Sequence, residues 1–77
     1  MRVVEQRFRD RLRGARKRRG WSQRLLGERI GRDGATVSFW ETGQRVPRLG
    51  AAVQVATALG VTLEDLVRPE EGREGTT

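Results

Sequence analysis

The 77-residue sequence contains no cysteine, no histidine and no tyrosine. Without cysteine there is neither a disulfide framework nor a thiolate metal site, and without histidine most acid–base and nucleophile pairings are missing. No apolar run approaches the roughly 18 residues that span a bilayer, and the arginine-studded beginning lacks the apolar block of a secretory signal. The sequence therefore predicts a small cytoplasmic protein that is not an enzyme, binds no metal or cofactor and folds by packing alone.

Positive charge is abundant and unevenly distributed. Sixteen lysines and arginines stand against ten acidic residues, a net charge of +6. Residues 1–48 carry 14 of these cations and five acids, whereas residues 49–77 carry two cations and five acids. All but one of the cations are arginine, which suits bidentate contact with phosphate, although biased coding composition explains the same surplus equally well. The distribution predicts that the first part of the chain faces a polyanion.

Apolar periodicity predicts five short helices and no strand. The first covers residues 5–19, whose apolar side chains recur every three or four positions. Ser22 and Asp33 are the expected N-caps of the second and third helices, and Gly31 and Gly43 are expected to end them. These boundaries leave a three-residue segment between the second and third helices.

The fourth helix is expected to begin near Pro47, and its core face is predicted to contain Leu49, Ala52, Val53, Ala56 and Leu59. Thr62 and Asp65 resemble a capping box that opens a fifth helix. The composition of residues 68–77 predicts a disordered tail. The expected core is Phe8, Leu12, Trp21, Leu26, Ile30, Val37, Trp40, Leu49, Val53, Ala56 and Leu59.

A helix-turn-helix is the expected arrangement of the second and third helices. Gly27 lies in mid-helix, where glycine costs about 0.5–1 kcal/mol relative to alanine, so a second helix is expected to pass close to it. The run GWSQRLLGERIGRDGATVSFWETGQRVP, followed by ATALGVTLEDL, resembles the DNA-binding domain of lambda-repressor and Cro-type regulators, the XRE family. The resemblance covers about residues 7–67. It implies an all-α, compact five-helix bundle whose DNA-binding domain spans residues 5–67.

The resemblance also implies that the third helix, residues 34–42, enters the major groove of double-stranded DNA. If Val37 and Trp40 centre its buried face, helical geometry assigns four side chains to the outer face that meets the groove: Ala35, Ser38, Phe39 and Thr42. The DNA-contact residues expected from this placement and from the family pattern are Gln23, Arg24, Gly34, Ala35, Thr36, Ser38, Phe39, Thr42, Gln44 and Arg45, with Arg48 on weaker grounds.

Two further expectations follow from the resemblance. Arg16 and Glu41 match a family pair that joins the first and third helices through a partly buried ion pair. Gly34, Ala35 and Phe39 stand where relatives often carry side chains that hydrogen-bond to bases. Ala35 and Phe39 can instead contact thymine methyl groups, so we expect modest sequence discrimination and a steep salt dependence.

Three functions remain open from the sequence. The first is a transcriptional regulator, repressor-like, for which a homodimer through the C-terminal helices is expected. The candidate contacts, each of which also suits the core, are Val61, Leu63, Leu66 and Val67. The second is an antitoxin or other protein-interaction module that binds DNA secondarily, with Leu25 as a candidate contact. The third is nonspecific binding of RNA or an anionic membrane through the first helix, which is weaker because its charges surround the helix instead of occupying one face.

Overall fold

Five α-helices and no strand make up residues 3–69, the part of the chain that the computed structural model describes. The helices are α1 (Val3–Arg18), α2 (Gln23–Arg29), α3 (Gly34–Thr42), α4 (Leu49–Leu59) and α5 (Leu63–Val67). The predicted all-α, five-helix architecture is confirmed. Most of the tail expected to be disordered, residues 70–77, lies outside the described residues.

Local hydrogen bonds begin three of the helices where the sequence predicts. The Ser22 hydroxyl accepts from the N–H of Leu25 at 3.0 Å, and the Asp33 carboxylate accepts from the N–H of Thr36 at 2.9 Å. At α5, Thr62 and Asp65 exchange backbone-to-side-chain bonds of 2.9 and 3.0 Å, which completes the capping box. Each bond satisfies a backbone N–H that has no partner within its own helix.

The core draws side chains from all five helices. Leu12, Leu26, Val37, Val55 and Leu66 are the largest side chains that are fully buried. Phe8, Ala15, Trp40, Ala51, Ala52, Ala56 and Leu59 complete the buried set, and Trp21 and Ile30 pack against it while remaining half-buried. The predicted core is therefore confirmed for α1, α2 and α3.

The predicted core face of α4 is confirmed for Ala52, Ala56 and Leu59 but wrong for Leu49 and Val53. Leu49 and Val53 are 70% and 45% exposed, and Ala51 and Val55 are buried instead. The buried face is rotated by about 70° from the predicted one, given 100° per residue. Because α4 is apolar on nearly every side, periodicity alone did not determine which side packs. The side that packs is rich in alanine, which lets α4 approach its neighbours closely.

Two arginines of α1 and one that directly follows it bind the C-terminal ends of other helices. Arg9 donates to the carbonyl of Thr42 at 3.4 Å, Arg11 to that of Asp65 at 2.8 Å, and Arg19 to that of Leu59 at 3.2 Å. These carbonyls lie in the last turn of α3, α5 and α4, where the partial negative charge of a helix favours a cation. Part of the positive charge of α1 therefore stabilises the bundle.

The turn between α2 and α3 depends on two glycines. A Cβ at Gly27 would lie 2.6 Å from the carbonyl carbon of Asp33, which leaves no room for a side chain. Gly31 has φ of +75°, in the left-handed region that favours glycine. The predicted close approach at Gly27 is confirmed, and it fixes α3 against α2.

Candidate nucleic-acid interface

The outer face of α3 is the centre of the candidate interface. Ala35 and Thr42 are exposed, and Ser38 and Phe39 are half-buried. The opposite face buries Val37, Trp40 and Glu41 against the bundle. The four side chains assigned to the outer face from sequence therefore do lie on one side of α3.

The polar groups on this helix are few, and some are already used. The Thr36 hydroxyl donates to Asp33 at 2.9 Å, and the Thr42 hydroxyl donates to the carbonyl of Phe39 at 3.3 Å. Gly34 offers only its backbone, because a Cβ there would lie 3.0 Å from the Cα of Arg24. This close approach to the backbone of α2 favours glycine at position 34.

The N-terminus of α2 flanks one side of α3. Gln23 is half-buried, and its Nε2 donates to Glu41 at 3.1 Å. Arg24 is exposed and pairs with Glu28 at 3.2 Å. Gln23 and Arg24 are the first residues of α2, so their backbone N–H groups have no partner within the helix. Such N–H groups can donate to an anion.

Arg16 and Glu41 form an ion pair between α1 and α3. The Arg16 Nε and Nη2 donate to the two carboxylate oxygens of Glu41 at 2.6 and 3.0 Å, and both side chains are nearly buried. The hydrogen bonds that Arg16 donates to Glu41 raise the pKa of the Arg16 guanidinium. Arg16 also donates to the carbonyl of Trp21 at 2.7 Å, so the pair fixes the chain where it enters α2.

The turn that follows α3 carries Gln44 and Arg45, both exposed. The guanidinium of Arg45 lies over the ring of Phe39, 4.7 Å from its centroid. The backbone N–H of Arg45 also donates to the carbonyl of Phe39 at 3.2 Å. Two contacts therefore hold Arg45 against the outer face of α3.

A positively charged groove lies between α3, the turn after it and α4. Its lining includes Arg32, Thr36, Trp40, Arg45, Arg48 and Gln54. No acidic side chain lines it in the part of the chain described, and Arg32 lies 5.6 Å from the Trp40 ring centroid. Sequence reasoning missed Arg32, because an arginine in a short turn carries no local signal of the groove it joins.

A second, apolar groove lies next to the charged one. Val4, Phe8, Val46, Leu49, Leu63 and Val67 contribute to its lining. Val4, Val46 and Leu49 are each more than half exposed. Leu66, expected at a dimer contact, is 1% exposed and belongs to the core instead. Leu25 is half-buried and Val61 packs on the core.

The sequence and the fold are both similar to those of known proteins. Residues 12–66 match the protein family described as helix-turn-helix. The uncharacterized HTH-type transcriptional regulator YgzD of Bacillus subtilis is 35% identical over 83% of this chain and 97% of its own length. Among solved structures, the hypothetical transcription factor NHTF from Neisseria has a TM-score of 0.84 and 28% identity, covering 96% of this chain and 85% of that one.

Two other solved structures share the fold at lower identity. The P22 c2 repressor, solved with a synthetic operator, has a TM-score of 0.76 and 24% identity, covering 82% of this chain and 96% of that one. The hydroxypropylphosphonic acid epoxidase of S. wedmorenis has a TM-score of 0.81 and 23% identity, but only 37% of that chain is covered. This bundle therefore also occurs as one part of a larger enzyme. Within residues 3–69, no helix is long and apolar enough to cross a membrane.

Proposed function

The chain belongs to the helix-turn-helix family of XRE-type DNA-binding transcription regulators, and we propose that it binds operator DNA sequence-specifically, as a repressor. In this proposal α3 lies in the major groove, and residues 5–67 form the DNA-binding domain. Because a transcription regulator must reach the DNA that it binds, we also propose that the protein is located in the cytoplasm.

The observation that carries the proposal is the arrangement of charge around α3. The outer face of α3 is nearly free of charge, with Ala35 and Phe39 among its side chains. Gln23 and Arg24 lie at the N-terminus of α2, whereas Arg32 and Arg48 line the groove towards α4. An uncharged helix between two phosphate-binding margins matches the two sugar–phosphate backbones that border a major groove.

Most of the affinity in this arrangement comes from phosphate. The hydroxyls of Thr36 and Thr42 donate within the protein, so few side chains on α3 remain to donate to base edges. Each phosphate contact that is removed is expected to lower the slope of log affinity against log salt by about 1. Arg32→Ala and Arg48→Ala should therefore weaken binding to all sequences alike and flatten the salt dependence.

A homodimer is the second part of the proposal, and the apolar groove is its interface. Val46 and Leu49 follow directly after the turn that carries Arg45, so this groove continues the proposed DNA surface. A second copy bound there would place two α3 helices on one side of a DNA duplex, as paired half-sites about one helical turn apart require. Exposed apolar side chains gathered in one groove favour such a contact.

One substitution on the outer face tests the DNA-binding role. Ala35 is exposed, so Ala35→Glu should leave the melting temperature unchanged while placing a negative charge against the DNA. Thr57→Glu is the matched control, because Thr57 is exposed on α4 and lines a groove towards Arg29, at the end of α2. Titration of labelled operator DNA should show that binding is lost in the first variant and kept in the second. Equal affinity of the two variants would overturn the placement of α3.

A further inference from the structure

We propose that Phe39 and Arg45 act as one reading unit, which recognises a guanine with a thymine as its immediate neighbour. The guanidinium of Arg45 binds the O6 and N7 atoms of the guanine, and the ring of Phe39 contacts the methyl group of the thymine. This inference rests on the proposed placement of α3 in the major groove. In this proposal Arg45 contacts a base, although its position in the turn after α3 would otherwise suggest a phosphate contact.

The first support is that Arg45 is held in place before any DNA is bound. Its guanidinium stacks on the Phe39 ring at 4.7 Å, and its backbone N–H donates to the Phe39 carbonyl at 3.2 Å. Stacking on an aromatic ring is a favourable contact for arginine, worth about 0.5–1 kcal/mol at exposed sites. A preorganised side chain loses less conformational freedom on binding, so Arg45 is suited to a directed contact.

The second support is that the donors of Arg45 remain free. Within residues 3–69, no carboxylate pairs with Arg45, in contrast to Arg16 and Arg24. Stacking uses the face of the guanidinium and leaves the N–H groups along its edge available. Those edge donors match the pair of acceptors, O6 and N7, that guanine alone presents in the major groove.

The third support is the scarcity of other groups that could distinguish bases. Gly34 and Ala35 have no polar side chain, and the hydroxyls of Thr36 and Thr42 donate within the protein, which leaves the short hydroxyl of Ser38 on this face. Phe39 is half-buried and its ring is apolar, so a thymine methyl is the group in the major groove that it can contact favourably. The guanidinium stacks on the ring, so we expect the two bases that they contact to be neighbours.

Base analogues test the unit directly on an operator selected from random DNA. Each guanine is replaced in turn by 7-deazaguanine, which lacks N7, and each thymine by uracil, which lacks the methyl group. We expect one guanine and one adjacent thymine at which replacement weakens binding of the wild-type protein. The loss at the guanine should be on the order of 10-fold, within the range of one bidentate contact.

Variants identify the side chains responsible. Arg45→Lys keeps the charge but loses the planar fork that stacks on Phe39, so it should bind the operator about 10-fold more weakly, and 7-deazaguanine should weaken its binding less than that of the wild type. Phe39→Leu keeps an apolar contact but removes the ring that positions Arg45, so it should also reduce the response to 7-deazaguanine. Arg48→Lys is the matched control, because Arg48 lines the same charged groove without stacking on Phe39.

Two results would overturn the inference. One is a selected operator in which no replacement of a guanine by 7-deazaguanine weakens binding more in the wild type than in Arg45→Lys. The other is an equal loss of specific and nonspecific binding in Arg45→Lys, which is the behaviour of a phosphate contact. If no sequence is enriched from random DNA at all, the proposed function itself fails, so the two failures are distinguishable.

Discussion

Gln23 and Glu41 are joined by a hydrogen bond of 3.1 Å between the side-chain amide of one and the carboxylate of the other. This carboxylate also receives both hydrogen bonds of the Arg16 ion pair. Glu41 therefore does more than join α1 to α3, since it orients the side chain at the N-terminus of α2 that is proposed to approach phosphate. The stability of the bundle and the shape of the DNA surface depend on the same buried group.

The first prediction concerns this ion pair. Glu41→Gln leaves the buried guanidinium of Arg16 without its counter-charge, so we expect a loss of about 3–5 kcal/mol in the free energy of unfolding. Glu28→Gln is the control, because the Glu28–Arg24 pair is exposed and is expected to contribute less than about 1 kcal/mol. Urea unfolding of both variants measures the difference. An unchanged melting temperature in Glu41→Gln would contradict the account.

The second prediction compares two mid-helix glycines. Gly27→Ala forces a methyl group against the backbone of Asp33, so it should destabilise the protein by about 1–3 kcal/mol. A Cβ at Gly14 meets only the flexible end of Arg18, at 3.4 Å. Gly14→Ala should therefore stabilise by about 0.5–1 kcal/mol. Thermal unfolding should give shifts of opposite sign, and shifts of the same sign would be inconsistent with this packing.

The third prediction concerns acid sensitivity at the N-cap of α3. The hydrogen bonds from the backbone N–H and hydroxyl of Thr36 hold the pKa of Asp33 below its ordinary value. A depressed pKa in the folded state means that this stabilisation is present above the unfolded value of about 3.9 and is lost as the pH falls through the folded value. Asp33→Asn keeps a good N-cap that does not titrate.

Urea unfolding at pH 7 and pH 3 tests this prediction. The wild-type protein should lose more stability between the two pH values than Asp33→Asn does. Glu64→Gln serves as the control for removing an exposed carboxylate from a helix, and it should keep the wild-type pH response. The same response in Asp33→Asn as in the wild type would show that the cap carries no such dependence.

The fourth prediction separates self-association from folding. Leu49 is 70% exposed and lines the apolar groove, so Leu49→Ser should leave stability nearly unchanged but weaken dimer formation. Val53 lies one turn further along α4, is 45% exposed and lines a different groove. Val53→Ser should leave dimer formation unchanged. Sedimentation with a DNA duplex carrying both half-sites measures the stoichiometry, and identical behaviour of the two variants would exclude this groove as the interface.

The features that the sequence predicted well are those that depend on neighbouring residues. Ser22, Asp33 and Thr62 cap helices through bonds that span three residues, so their pattern is visible in the chain itself. Gly27 was informative because a helix interior disfavours glycine unless another element approaches it. The bounds of α3 follow from its cap and from Gly43, and they agree with the structure.

The features that were missed depend on residues far apart in the chain. Leu49 and Val53 were assigned to the core because α4 is apolar on nearly every side, and only its neighbours determine which side packs. Arg32 and Arg48 meet at one groove only after α3 and α4 are placed. The hydrogen bond from Gln23 to Glu41 likewise joins two helices, α2 and α3. Neither the spacing of the two residues nor the composition of the chain predicts it.

Selection of bound fragments from randomised DNA at about 0.15 M salt, with nonspecific competitor present, tests directly whether this protein reads a DNA sequence. We expect enrichment of an inverted repeat with half-sites about one helical turn apart. We also expect that binding to the selected repeat weakens steeply as salt rises and that Phe39→Ala reduces specific binding more than nonspecific binding. Equal retention of all sequences, lost together as salt rises, would contradict this expectation, because the protein would then bind phosphate without reading bases.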